Sequence, residues 1–387
     1  MARTATNPSP DLSLQFLWQR LPALVLMSVC LFLCLVGLLM LYSIGHAHSG
    51  VGPGIFYKQV IWAGFALVAF GLAATVDLEW LRRWSVPLAI VGLVLLLLVL
   101  VPAIGLKVNG ARRWIPLGPM NMQVSDIVKF SYLLLMAHYL SDYRRIRDRF
   151  WQGYLFPVVL VGIPFVLIMA QPDFGTAFLF ALVGGTLLFL AGLRMTYLIP
   201  TAAAGLAGFG LMVLFDPIRW QRVISFLYAE ENRSEGAYQL WQGMLGFGAG
   251  GVAGVGLGNG RQQIAFLPEA HTDFIFPIIG EELGFMMTAL VLLAFALLFI
   301  FGWRQLDKAP NLYQYLLCGG ALLFVSYQAL INMGVATGVL PTKGMSLPLI
   351  SYGGSNLVAT ALLLGLVVNG CLHWTGTKSI RAREVKG

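Results

Sequence analysis

Long apolar segments separated by short polar ones run through almost the whole of this 387-residue chain. Each is long enough to cross the hydrocarbon core of a bilayer, which takes roughly 17–25 residues of α-helix. Hydrophobic residues make up 58% of the sequence and charged residues only 11%, which excludes a soluble globular domain. The pattern predicts an all-α integral membrane protein with ten transmembrane helices. The predicted spans are 21–44, 55–76, 85–105, 124–141, 154–171, 175–192, 196–215, 275–302, 311–337 and 355–375.

The distribution of Lys and Arg predicts which side of the membrane each loop faces. Ten spans place both termini on one side, and that side holds fifteen of the 25 basic residues, mostly in short loops. Since short cytoplasmic loops are enriched in Lys and Arg, we expect this side to be cytoplasmic. The formal net charge of +8 then indicates topology or contact with membrane lipids, and no nucleic-acid partner is expected.

The chain divides into a membrane domain and two short tails. We predict a cytoplasmic N-terminal tail at 1–20, a membrane domain at 21–376 and a basic cytoplasmic tail at 377–387. The first apolar run is too long for a signal-peptide core and is interpreted as a retained helix. A long extracytoplasmic loop at about 216–274 separates helices seven and eight, and loops of this length are usually functional.

Four acidic residues lie between positions 267 and 282, at the entrance to the eighth span and inside it. A charged side chain at the centre of a membrane helix costs on the order of 3 kcal/mol, so these carboxylates are expected to face a cavity, a partner charge or a substrate. Glu269 precedes Asp273 by four residues and would share its face if the segment were helical.

Charged residues also interrupt the fourth span and the turn before the sixth. Asp126 and Lys129 stand three apart, so on a helix they share a face. A structural ion pair and the wall of a polar cavity explain them equally well. Asp173 follows Pro172 in a tight turn, where it is expected to cap the sixth helix, with a place in a cavity as the second interpretation.

Several cations lie at the same predicted membrane face as these carboxylates. They are Arg112, Arg113, Arg222 and Lys343. Arg residues at this depth often anchor a protein at the membrane interface, but adjacent guanidinium groups also suit a lipid diphosphate. Cations and carboxylates together suit a reaction in which a diphosphate leaves while a hydroxyl is deprotonated.

Two other residue types carry less chemistry. The four cysteines all fall in apolar spans and are interpreted as small buried hydrophobic residues, and no His or Cys spacing is typical of a zinc site. The glycine-rich segment 243–260 contains a GxGxxG match that we attribute to chance. A flexible loop or close helix contacts explain it better than backbone contacts to a phosphate.

Specific motifs along nearly the whole chain resemble the SEDS family (shape, elongation, division and sporulation), and its FtsW branch more than its RodA branch. These motifs are NGARRW at 109–114, QPDFGT at 171–176, GLGN at 256–259, LPEAHTDFIF at 267–276, IIGEELG at 278–284 and LPTKGMSLPLISYGGS at 340–355. Val124 and Asp126 stand where family members usually carry Pro and Glu, and Gly243 and Gln263 also depart from the usual pattern.

The resemblance implies an inverting peptidoglycan glycosyltransferase that polymerises lipid II at the outer face of the bacterial cytoplasmic membrane. It implies ten transmembrane helices, a class B penicillin-binding protein and other divisome proteins as partners, and a divalent cation, Mg or Mn, as helper. The family's essential aspartate matches Asp273, which would act as general base, with Glu269 as a second carboxylate. Two alternatives remain, a lipid II flippase and a non-enzymatic divisome scaffold.

Overall fold

Within a membrane, backbone polar groups must be hydrogen-bonded inside the protein, and this is why long apolar runs become helices. The computed structural model describes residues 10–46, 52–108, 110–117, 120–142, 149–234, 236–262, 267, 269–341 and 344–374. Its helices, in chain order, are α1 Pro10–His46, α2 Gly54–Thr75, α3 Leu78–Arg83, α4 Ser85–Leu98, α5 Val124–Ser141, α6 Phe150–Met169, α7 Phe174–Ala191, α8 Met195–Phe215, α9 Pro217–Leu227, α10 Tyr238–Gly250, α11 Ile275–Leu306, α12 Leu312–Ala336 and α13 Gly354–His373. The first six residues of α6 form a π-helix.

In the described part of the chain, eight helices are long and apolar enough to cross a membrane: α1, α2, α6, α7, α8, α11, α12 and α13. The other two predicted spans also contain helices. However, α4 has only 14 residues, and α5 carries Asp126 and Lys129. The helical membrane class is therefore confirmed, while the count of ten spans stays a prediction.

The centre of the bundle is formed by α12 and α13. Most residues of both helices are buried, whereas no residue of α8 is. A side chain at Gly365 of α13 would place its Cβ 2.6 Å from the carbonyl oxygen of Phe70 in α2, so the two backbones approach closely at this glycine. The polar residues of α12 and α13 are thus held inside protein and not against lipid.

A small antiparallel sheet, which the sequence analysis did not predict, precedes α5. Its strands are β1 Leu106–Val108, β2 Ala111–Leu117 and β3 Met120–Gln123, in the order β1-β2-β3. Gly110 has φ 82° in the turn between β1 and β2, a left-handed conformation that favours glycine. Because β3 leads directly into α5, the sheet is fixed at one end of the bundle, called here the sheet end.

The predicted long loop contains two helices, α9 and α10. α10 packs against the first turns of α11 through glycines: a Cβ at Gly243 would lie 3.1 Å from Cγ of Pro277, and one at Gly250 would collide with the carbonyl oxygen of Gly280. The glycine-rich segment thus makes the close helix contacts that were one of its two favoured interpretations.

α11 is interrupted at Gly284, which has φ 75° and ψ −175°. The segment after α10 supplies the backbone hydrogen bonds that this break would otherwise lose. Val255 N donates to Glu281 O (2.9 Å), and Phe285 N donates to Gly251 O (2.9 Å). The interrupted helix therefore keeps its polar backbone groups satisfied inside the protein.

The two acidic residues inside the eighth predicted span face this glycine segment. The carboxylate of Glu282 accepts hydrogen bonds from Ser43 Oγ (2.7 Å) and Gly258 N (2.9 Å). Glu281 accepts one from Arg261 N (2.8 Å). Each buried carboxylate thus has donors that compensate its lost hydration, which gives both a structural explanation.

Candidate active site

A polar cavity of about 220 Å³ lies at the sheet end, between the three strands, the first turns of α5, α7 and α13, the turn before α11, and Gln328 of α12. Its charged lining consists of Arg113, Asp126, Lys129, Glu269 and Asp273. The fold therefore brings five of the nine predicted site residues to one space. These residues come from parts of the sequence that are up to 160 positions apart, so only the tertiary structure could show that they meet.

Asp273 lies in a turn immediately before α11. The turn is closed by hydrogen bonds from Thr272 N and Phe274 N to Glu269 O (3.1 and 3.4 Å). Thr272 Oγ1 also donates to the Glu269 carboxylate (2.9 Å). The segment is a turn and not a helix, but it still places Glu269 and Asp273 at the same cavity.

The surroundings of Asp273 raise its pKa from 3.8 to about 7. Burial is the largest cause, because the surrounding protein withholds water from the charged form. The negative charges of Glu269 and Asp173 raise the pKa further, while the Arg113 guanidinium opposes them. A carboxylate with this pKa can accept and release a proton near neutral pH, as a general base must.

Arg113 extends from β2 to the cavity, where its Nη1 lies 3.3 Å from Asp173 Oδ2. Asp173 also caps α7, since its Oδ1 accepts from Thr176 N (3.2 Å). The capping interpretation of Asp173 is therefore confirmed, whereas Asp173 does not itself line the cavity and contacts it through Arg113. Gln123 Nε2 donates to Asp173 Oδ2 as well (3.2 Å), which joins β3 to the same group.

Arg112 does not line the cavity. Arg112 and Arg113 are consecutive in β2, and consecutive side chains of a strand point to opposite faces of the sheet. Two adjacent guanidinium groups acting on one diphosphate, as the sequence suggested, therefore do not arise from this pair.

Lys129 forms the floor of the cavity. Its Nζ donates to Asp126 Oδ1 (2.9 Å) and Gln328 Oε1 (2.8 Å), and lies 3.4 Å from Asn356 Oδ1. Ser355 Oγ donates to the other oxygen of Asp126 (2.8 Å). The predicted ion pair is present, and both of its members also line the cavity, so the two interpretations hold together.

Arg222 and Lys343 complete the set of predicted site residues. Arg222 is exposed on α9 and does not line the cavity. Lys343 lies outside the described residues, although the next residue, Gly344, lines the cavity. Burial lowers the pKa of His271, so its imidazole is neutral at neutral pH, and its ring lies 5.7 Å from that of Tyr352.

The predicted site residues do not include the neutral polar side chains of the site, among them Gln328 of α12, and Ser355 and Asn356 of α13. A usable signal existed, because an amide within an otherwise apolar span costs energy unless it is paired inside the protein. Charged residues alone therefore do not indicate the whole lining of the site.

Residues 24–373 match the family model of the FtsW, RodA and SpoVE proteins, described as a cell cycle protein. The chain belongs to this family. It is 40% identical over 348 residues to "Probable peptidoglycan glycosyltransferase FtsW" of Coxiella burnetii, which covers 87% of this chain and 93% of that protein. It is 35% identical over 352 residues to "Stage V sporulation protein E" of Bacillus subtilis, which covers 90% and 96%.

Two solved structures share the fold of this FtsW/RodA/SpoVE protein. One belongs to work described as "Structural coordination of polymerization and crosslinking by a peptidoglycan synthase complex", with a TM-score of 0.76, 29% identity and coverage of 91% of this chain and 98% of that one. The other is the rod shape determining protein RodA of Thermus thermophilus, with a TM-score of 0.67, 27% identity and coverage of 90% and 96%.

A divalent cation is the cofactor that the family resemblance implies. Among the described residues, no group of three or more His, Cys, Asp or Glu side chains is arranged to hold a metal ion. Mg²⁺, however, is commonly held by one or two carboxylates together with substrate phosphates. Glu269 supplies one exposed carboxylate at the cavity. The described residues of this family member therefore fit a cation that binds together with a substrate phosphate. They fit a metal ion held by protein side chains alone less well.

Proposed function

We infer that this protein is a peptidoglycan glycosyltransferase that polymerises lipid II into glycan strands, in the septal role of FtsW. The observation that carries this inference is the Asp273 carboxylate, with a pKa of about 7, at a cavity that also presents Arg113 and Lys129. A base and fixed cations in one enclosed space are what transfer of a sugar from a diphosphate requires. The names of the FtsW relatives support the same reaction.

In the proposed reaction, Asp273 removes the proton from the 4-hydroxyl of the acceptor sugar. The hydroxyl oxygen attacks the anomeric carbon of the donor from the side opposite the diphosphate, and this inverts the configuration. The bond to the diphosphate breaks, and undecaprenyl diphosphate leaves with the electron pair. Arg113 and Lys129 stabilise the negative charge that develops on it, and the cavity limits competition by water.

Glu269 is the residue that we propose to hold a divalent cation, Mg or Mn, together with oxygens of the diphosphate. When bound, such a cation would supply positive charge to the leaving group. Glu269 is the more exposed carboxylate of the turn, and Asp273 stays free to act as base.

The orientation and the partners are further parts of the proposal. The bias of Lys and Arg supports a bacterial cytoplasmic membrane protein with both termini in the cytoplasm, and in that orientation the sheet end and its cavity would lie at the outer face. The similarity to a chain of a complex that coordinates polymerization and crosslinking supports a class B penicillin-binding protein as partner.

The deciding experiment compares wild-type protein with Asp273→Asn. Each is purified with its penicillin-binding partner and given labelled lipid II and Mg²⁺, and glycan chains are resolved on a gel. Asp307→Asn is the control, because Asp307 is exposed at the other end of α11. We expect polymer from the wild type and the control, and none from an intact Asp273→Asn complex. Polymer from Asp273→Asn at the wild-type rate would contradict the proposal, and exchange of lipid II between leaflets without polymer would favour a flippase.

A further inference from the structure

The turn that carries Asp273 is attached to a second segment, residues 344–352, through backbone carbonyl groups. Ser351 Oγ donates to Thr272 O (2.6 Å), and Tyr352 N donates to His271 O (2.9 Å). The same Ser351 oxygen accepts from Leu347 N (2.7 Å), so the hydroxyl also holds its own segment in shape. Two successive carbonyls just before Asp273 are thereby fixed in direction.

A third attachment comes from Asn332, near the sheet end of α12. Its Nδ2 donates to Asp273 O (2.8 Å) and to Met345 O (2.6 Å), so a single amide joins the turn to the second segment. The Oδ1 atom of this amide is buried and has no hydrogen-bond partner among the described residues. A buried acceptor without a partner costs stability. The stabilising contribution of the Asn332 side chain therefore comes from the two hydrogen bonds that it donates.

Both segments hold backbone conformations that they would not adopt unaided. Glu269 has φ 59° and Leu349 has φ 65°, values that side chains other than glycine rarely adopt. Such residues persist when the surrounding structure determines their conformation, and they cluster at functional sites. The second segment also passes close to the carboxylate, since a Cβ at Gly344 would lie 2.8 Å from Asp273 Oδ2.

We propose that Asn332 and Ser351 are positioning residues, which fix the backbone of the Asp273 turn so that its carboxylate points into the cavity beside Gly344. This inference rests on the proposed role of Asp273 as the base. A displacement of a reacting group by about 1 Å can cost about 100-fold in rate. Rigid support of the turn is therefore expected to act on catalysis and not only on folding.

The test uses Asn332→Ala and Ser351→Ala in the full chain with its partner, in the lipid II assay described above. Asn369→Ala is a matched control. Asn369 is also a buried amide that donates to two carbonyls, Ala73 O (3.0 Å) and Val76 O (2.7 Å), but it lies in the half of α13 away from the cavity. The three variants should lose similar thermal stability. We expect kcat to fall at least about tenfold for Asn332→Ala and Ser351→Ala, with a smaller change in KM, and to stay near wild type for Asn369→Ala.

A pH profile separates positioning from a general loss of structure. These variants leave the charged and titratable groups around Asp273 unchanged. They are Glu269 and His271 from its own turn, Arg113 from β2, Asp173 from the turn before α7, Asp126 and Lys129 from α5, and Tyr352 from the second segment. A loosened turn lets water reach the carboxylate, and this weakens the burial that raises its pKa. The acid limb of kcat/KM should therefore move to lower pH by about half a unit or more in Asn332→Ala, and it should not move in Asn369→Ala.

A folded Asn332→Ala protein with wild-type kcat and an unmoved acid limb would overturn the inference. If Asn332→Ala does not fold, Ser351→Ala carries the same comparison, and failure of both to fold would show that their role is structural. Activity in Asp273→Asn is a separate outcome, because it contradicts the proposed function itself.

Discussion

Removal of the Lys129 ammonium group while Asp126 remains should destabilise the protein strongly. Both side chains are about 5% exposed, and Lys129 Nζ is the donor to Asp126 Oδ1 and Gln328 Oε1. In Lys129→Met both oxygens lose that donor, and Asp126 becomes a buried charge without its counter-ion. Breaking a buried pair in this way costs about 3–5 kcal/mol. Asn356 Oδ1 keeps its bond from Gln328 Nε2 (3.0 Å) and adds little to the loss.

The double variant Asp126→Asn/Lys129→Met removes both charges, so no buried charge is left unpaired. We expect it to recover about 0.5–3 kcal/mol of the stability that Lys129→Met loses, the usual range of coupling between contacting residues. Stability would be measured by SDS titration or by thermal unfolding in detergent. Arg219→Met is the control, because Arg219 and Asp216 have the same spacing and the same 2.9 Å distance but are 25% and 32% exposed. That variant should lose only about 0–1 kcal/mol of ion-pair energy.

The polymerisation rate of the same double variant then separates the two functions of the pair. If the pair only fixed helix packing, recovered stability would bring back the rate. Because Lys129 also lines the cavity beside the proposed diphosphate site, we expect the rate to stay at least about tenfold low despite the recovered fold. A double variant that is as stable and as fast as the wild type would refute a role of Lys129 in binding the leaving group.

Three further variants act directly on Asp273. The base works in its ionised form, so the rate should rise with pH through its pKa of about 7. Arg113→Ala removes the cation that lowers the pKa of Asp273 and should move the acid limb of kcat/KM to higher pH. Glu269→Gln removes a negative charge that raises this pKa and should move the acid limb to lower pH. Shifts of the same sign in the two variants would contradict this electrostatic account. Gly344→Ala would force the Asp273 carboxylate to move, so it should lower kcat at least about tenfold while the melting temperature stays near wild type. Gly185→Ala is the control, because its added Cβ meets no atom within 4 Å. It should lower neither kcat nor the melting temperature.

The parts of the site that the sequence could predict depend on short separations along the chain. The pair of Asp126 and Lys129 follows from a spacing of three on a helix, and the cap at Asp173 follows from its place before an apolar run. The apolar spans follow from length and composition, although the third predicted span, 85–105, ends as a helix at Leu98. In each case the decisive interaction lies within a few residues.

The sheet at 106–123 could not be predicted in this way. β1 has only three residues, and apolar and polar residues do not alternate in the seven-residue β2, so the longest strand carries no strand pattern. The error had a consequence, because strand geometry separates Arg112 from Arg113 and leaves one guanidinium at the cavity. The attachment of the Asp273 turn by Asn332 joins residues 59 positions apart, and only tertiary packing determines such a contact.

The interruption of α11 at Gly284 is the feature of this fold that most resembles a transporter. Transporters use interrupted helices near the midplane because free helix ends can hold a substrate or an ion. Here the carbonyl of Glu281 and the amide of Phe285 are bonded by the glycine segment, and neither residue lines the cavity. Leu133 and Phe324, one helical turn away from Lys129 in α5 and from Gln328 in α12, are buried and apolar and do not line the cavity. The polar space is thus closed on the side away from the sheet, which suits a reaction at one membrane face better than passage across the bilayer.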